Sequence, residues 1–181
     1  MGKTRYDQIL VVDLELTTSG NKDHDEDREI IEVGISIFHT ETSNIDGGAS
    51  YIIKPKKAKI SQYCAELTGI TQEMVDGGMQ FDHAMNKIVK DYKGKNRVWT
   101  SFGVGDREQL SKECREKSAQ FPFSNNYFDT GALFFLKYSM KSGGLSLEKC
   151  LKHVGEEFEG SKHRADSDAF NTAKLLRKVL K

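Results

Sequence analysis

The run QILVVDLEL, residues 8–16, constrains this chain more than any other stretch. Its apolar residues fall on both faces of a period-2 pattern, which predicts a central β-strand covered on both sides. Two acids interrupt it, Asp13 and Glu15. Residues two apart on a strand point the same way, so these carboxylates share one face about 6–7 Å apart. At an effective dielectric near 20 their repulsion is about 2.5 kcal/mol, before any cost of leaving water. A positive partner must neutralise them, or one must hold its proton.

Composition narrows what that partner serves. A chain of 181 residues suffices for one domain with a full core, here taken as residues 1–181. Lysine plus arginine number 27 and acids 27, so no overall basic field marks a nucleic-acid binder, and any phosphate-binding surface must be local. Cys64, Cys114 and Cys150 are widely spaced and form no CxxC pair, which excludes a disulfide framework or structural zinc site and predicts reduced core thiols. The N-terminus has no apolar signal core, Tyr6 stands where a myristoylation motif needs Ser or Thr, and no run reaches membrane-spanning length; a cytoplasmic protein is expected.

Along the chain, residues 17–28 read as a polar loop. The pattern EIIEVGISIFH at 29–39 predicts a second strand, and NIDGG at 44–48 a turn into a third at 51–54, giving an antiparallel meander. A short helix over 60–67, a turn at 68–71 and a helix over 81–92 precede a fourth strand at 96–102 and a helix over 106–117. Further helices are predicted over 129–140, 145–154 and 164–180, the last with Ala169, Ala173, Leu176 and Leu180 as its apolar stripe. The segment NYF before Asp129 is too short to assign. Meander, then alternating helix and strand, indicates an α/β domain with a mixed sheet.

If the two strand acids hold a hard cation, further oxygen ligands should come from strand ends and helix starts. Asp106, in SFGVGDREQL, lies where the fourth strand gives way to a helix. Local sequence favours a plainer role, because Asp106 and Gln109 match a capping box. In KHRADSDAFNTAKLL, His163 lies at or just before the last helix and Asp168 one turn in, beside the stripe that faces the sheet. Asp166 reads as a solvated first-turn acid. Imidazole titrates near neutrality, so His163 beside Asp168 is a candidate base. Separated acids plus a histidine suit two-metal phosphodiester hydrolysis.

VVDLELTT, SFGVGDREQL and HRADSDAFNTAKLL resemble, in order, the three motifs of the DEDDh group of 3′-to-5′ exonucleases. ISQYCAELTGITQEMVDGG is similar to the ERI-1-like branch, the histone-mRNA and small-RNA trimming exonucleases, more than to the polymerase-proofreading branch. The likeness covers roughly residues 7–180. It implies a ribonuclease H-like fold whose first three strands run antiparallel and whose later strands lie parallel to the first. It also implies two Mg²⁺ ions, replaceable by Mn²⁺, with Asp13 bridging, Glu15 and Asp168 at the ion holding the attacking water, and Asp106 at the second. The implied substrate is single-stranded nucleic acid, RNA favoured, degraded from a free 3′ end to nucleoside 5′-monophosphates. Leu16, Thr17, Leu67 and Ile70 are implied to line the terminal-nucleotide pocket, with core packing the competing role for each. Gly105 stands where those relatives commonly carry a tryptophan; Phe102 could take over stacking, though its pattern favours the core. The first strand begins near Asp7, so no additional RNA-binding module is expected ahead of it.

Other readings rank lower. A nucleotide-cofactor loop at GVG lacks its last glycine, and the presence of all five motif side chains argues against a binding module that has lost catalysis; a DNA-directed exonuclease of the same fold stays open. The lysines of KPKKAK, residues 54–59, are candidates for phosphate contact, whereas KDYKGKNR at 90–97 reads as a solvated face. The acidic run at 23–27 lacks the spacing of a calcium loop and is expected to be flexible.

Overall fold

The computed structural model describes residues 5–21, 27–140 and 144–181. Five strands, β1 (Arg5–Leu16), β2 (Ile30–His39), β3 (Ile45–Ile52), β4 (Arg97–Ser101) and β5 (Tyr127–Asp129), form one sheet in the order β3-β2-β1-β4-β5. Pairing is antiparallel between β1 and β2 and between β2 and β3, and parallel between β1 and β4 and between β4 and β5. The expected antiparallel-then-parallel sheet is therefore present.

The helices are α1 (Gln62–Thr68), α2 (Gln72–Asp76), α3 (Phe81–Tyr92), α4 (Gly105–Glu116), α5 (Thr130–Lys137), α6 (Leu147–His153) and α7 (Ala165–Leu180). Strand β1 is central, and its alternation sorts the core. Leu10, Val12 and Leu14 face a cluster with Phe81, Ala84, Met85 and Ile88 of α3 and Leu110 and Cys114 of α4. Ile9 and Val11 face the opposite way, onto Ala173 and Leu176 of α7. Continuing that second face by twos reaches Asp13 and Glu15, so the acids occupy the stretch of β1 over which α7 begins.

Glycine makes that approach possible. A Cβ on Gly34, the β2 residue paired with Asp13, would stand 1.9 Å from the Ala165 carbonyl oxygen, and one on Gly48 of β3 would stand 2.6 Å from that of Asp166. The first turn of α7 therefore lies directly on the sheet backbone.

Several boundaries differ from the sequence pattern. The meander turns at residues 40–44, with Ser43 at φ 59°, and NIDGG lies largely inside β3 because Ile45 and Asp46 pair with Phe38 and Ile37. The unassigned NYF contributes to β5, held by parallel pairing to β4 and by Tyr127 against Trp99 at 4.6 Å. Asp129 ends that strand and caps α5, accepting from Gly131 N at 2.7 Å and Ala132 N at 3.2 Å, instead of opening a helix. Helix α2 follows a Thr71 cap, in a stretch after the expected turn to which the sequence pattern assigns no element. Leu180 is half exposed, so the buried stripe of α7 ends before it. The three cysteines are buried free thiols, as expected. Among the described residues no helix is long and apolar enough to cross a membrane. The acidic run at 23–27 lies, except for Asp27, outside the described residues.

Candidate active site

Side-chain oxygens of Asp13 and Glu15 on β1 and of Asp168 on α7 all lie within 4.8 Å of one another. Burial followed by the charges of Asp106, Asp168, Glu15 and Glu32 drives the Asp13 carboxyl well above the ordinary range. The same causes, burial first and then Asp168, Glu32 and Asp106, push Glu15 up to about 8, with Arg164 acting in the opposite sense. Asp106 rises to about 7 through burial and the charges of Asp168 and Asp129. Burial raises Asp168 to about 6, even though the N–H groups of His163 and Arg164 and the His163 charge favour its anion. All four acids thus bind protons more readily than free carboxyls, first because they are buried and then because they crowd one another.

One atom tests whether a cation belongs there. Asp168 Oδ2 is buried and has no hydrogen-bond partner among the described residues. Such an oxygen, facing an all-carboxylate donor set, fits a hard divalent cation, which takes oxygen ligands and would supply the missing neutralisation. Asp106 is not part of the 4.8 Å trio, yet after burial its charge is the largest influence on Asp13.

Asp106 does not cap α4. Val104 occupies the cap position without a side-chain bond, and Asp106 lies in the first turn. Gln109, the other half of the supposed box, donates instead to the Arg28 carbonyl at 3.0 Å and to Glu113 at 2.9 Å. The loop ahead of α4 is fastened elsewhere: Gly103 N donates to Asp129 Oδ1 at 2.9 Å, and its carbonyl accepts from the Ser101 and Tyr127 hydroxyls, each at 2.7 Å.

His163 is exposed and precedes α7 by two residues, with φ at 59°. A non-glycine residue in that left-handed region costs on the order of 1 kcal/mol unless its surroundings impose it. The surroundings are a buried ion pair that sequence reasoning missed. Glu32 of β2, wholly enclosed, accepts from Arg164 Nε at 3.1 Å and Nη2 at 2.6 Å, from Ala165 N at 3.0 Å and from the Ser50 hydroxyl. Burial alone would raise its carboxyl, but these donors hold it below the ordinary value. Glu32 is paired across the sheet with Glu15, so it stands on the same face. The only sequence signal was an acid within the otherwise apolar run EIIEVG.

The implied pocket residues divide. Leu16 and Leu67 are half-buried, the former against the main core. Thr17 is buried and its hydroxyl accepts from Glu29 N at 2.9 Å. Ile70 is fully enclosed with Ile31, Cys64 and Val75, and offers no surface to a ligand. Phe102 is half-buried and packs in the cluster around Phe134 and Leu147. The backbone of KPKKAK wraps a carboxylate: Glu29 accepts from Lys56 N at 2.8 Å and from Lys57 N and Ala58 N at 2.7 Å each.

Comparison with known proteins shows the family and the fold. The chain is 32% identical over 203 residues to mouse ERI1 exoribonuclease 2, covering 99% of this chain and 29% of that protein. It is 26% identical to mouse 3′-5′ exoribonuclease 1, covering 99% of this chain and 54% of that one. It thus spans about a third to a half of these relatives' length. The fold is similar to the solved nuclease domain of 3′hExo, a DEDDh family member, bound to rAMP: TM-score 0.88 at 24% identity, covering 99% of this chain and 94% of that chain. The exonuclease family profile RNase_T matches residues 10–176, nearly the whole sheet and its helices, and the chain belongs to that exonuclease family.

Proposed function

We propose that this chain is a 3′-to-5′ exonuclease that removes nucleoside 5′-monophosphates from the 3′ end of single-stranded RNA. The observation that carries this reading is the convergence of Asp13, Glu15 and Asp168 within 4.8 Å, with one buried Asp168 oxygen left without a partner, in a member of an exonuclease family. The names of the relatives, exoribonucleases in mouse, favour RNA over DNA.

Asp13, Glu15, Asp106 and Asp168 would hold two divalent cations, Mg²⁺ with Mn²⁺ as a substitute. Bound there, the ions supply Lewis-acid neutralisation of charge on the phosphodiester oxygens. The protein's part is to keep four carboxylates converged on two rigid elements, β1 and α7, and on the fastened start of α4. His163, exposed beside Asp168, takes the proton from the attacking water on an imidazole nitrogen. The half-buried Leu16 and Leu67 border the terminal base.

The test is digestion of matched 5′-labelled RNA and DNA oligonucleotides. Stepwise shortening of the RNA with Mg²⁺ is expected, faster than that of DNA, abolished by EDTA and by Asp13→Ala. Binding of RNA without shortening in either metal would overturn the enzyme reading in favour of a binding module.

A further inference from the structure

We propose that Arg164 and Glu32 are positioning residues for His163. The inference rests on the base role given to His163 above, and it explains how an exposed side chain on a strained backbone can be held to a fixed direction. Two consecutive residues at the start of α7, Arg164 and Ala165, are tied down by one carboxylate of the sheet. Glu32 receives the Ala165 N–H and both arms of the Arg164 guanidinium. Glu32 is itself fixed, fully buried in β2 and bonded by the Ser50 hydroxyl of β3.

The backbone at His163 is anchored on its helix side. Its φ of 59° turns the chain sharply just ahead of the helix, and the next residue is anchored by a planar two-armed contact. Without that contact the turn is held to the sheet more weakly, through the Ala165 N–H on Glu32 alone among these bonds, and its relaxation towards an extended conformation would carry the imidazole out of place. Gly34 adds to the constraint, because it lets Ala165 lie close enough for its N–H to reach Glu32. The Arg–Glu pair is thus a bracket between sheet and base, and neither member need touch the substrate.

A kinetic cycle tests this on the full chain, using 5′-labelled single-stranded RNA over a range of Mg²⁺. Arg164→Gln is expected to lower kcat about 10- to 100-fold, the scale of a misplaced catalytic group, with KM and the half-saturating Mg²⁺ concentration changed less than about threefold. Arg164→Lys, which keeps the charge but loses the fork, should recover part of the loss. The decisive arm is the double variant. If Arg164 acts through His163, Arg164→Gln should slow His163→Ala by no more than about threefold. Full additivity, a raised Mg²⁺ requirement, or an unchanged kcat in Arg164→Gln would each overturn the inference while leaving the exonuclease reading intact. If Arg164→Gln fails to fold, Arg164→Lys alone and combined with His163→Ala carries the same comparison. An undiminished rate in His163→Ala would remove the base assignment and this inference together, which the other arms distinguish.

Discussion

Single side chains set the chemistry and the pH response. Glu15 titrates near pH 8 in the folded chain against about 4.5 for an ordinary glutamate, so the native state retains a proton that the unfolded chain gives up. Below pH 4.5 both states are protonated and the crowding is harmless; as pH rises towards 8 in the absence of a cation, stability falls. Melting temperature in EDTA should therefore decline between pH 5 and 8, and Glu15→Gln should raise it at pH 8 while changing little at pH 4.5. A wild-type chain equally stable at both pH values would contradict the crowding. His163→Ala should slow cleavage by about two to four orders of magnitude without loss of metal affinity, measured as rate and as metal-dependent melting shift. Residue types and spacing made most of the site legible: Asp13 and Glu15 by alternation, His163 and Asp168 by their place at a helix start. Glu32 was not, because its partner Arg164 lies 132 positions away and leaves no local mark. For Asp106 the local pattern favoured a cap while the resemblance implied a metal ligand; the cap does not form, because a four-residue pattern cannot register that Gln109 is claimed by residues of another element.

At the scale of elements, the site depends on how closely α7 sits on the sheet. Gly34→Ala would force its Cβ to within 1.9 Å of a carbonyl oxygen, so the helix start must move. The expected cost is about 1–3 kcal/mol by urea denaturation, with a larger fractional loss of activity than of stability. Gly47→Ala is the control, since its Cβ would meet nothing within 4 Å, and it should be near neutral. A second fastening, at Glu29 just ahead of β2, ties the chain to the loop after β3 and to Lys117 at the end of α4. Burial would raise Glu29, but the N–H groups of Ala58, Lys57 and Lys56 and the Lys117 ammonium bring it down to about 2. Lys117 also bonds Glu113 at 2.7 Å. Glu29→Gln should cost about 1–3 kcal/mol, measured by denaturation, because three backbone N–H groups lose a charged acceptor while Lys117 keeps Glu113. The long periodic elements, β1, β2, α3 and α7, were readable from the sequence because each buries a face of regular period. β5 and α2 were not, because three residues paired to β4 and five residues after a Thr71 cap owe their form to neighbours and carry no period of their own.

For the whole molecule, acids and bases balance at 27 each, whereas the site gathers Asp13, Glu15 and Asp168 in one place. Divalent cation should accordingly act as a stabilising ligand of the fold, contributing about 2.7 kcal/mol at a hundredfold excess over its dissociation constant. Thermal melting at pH 8 should rise with Mg²⁺ or Mn²⁺, and the rise should vanish in Asp13→Asn. Equal shifts in both proteins would mean that the ions bind elsewhere. Trp99, the single tryptophan, is fully buried, stacked 4.7 Å from Phe123, with its indole N–H on the Ser124 carbonyl at 2.9 Å. It shares the main cluster with Leu10 and Val12, on the side of β1 turned away from the acids. Its fluorescence is a built-in gauge of intactness: a variant that has lost cleavage but keeps a blue emission maximum has a damaged active site, whereas a red-shifted one has come apart.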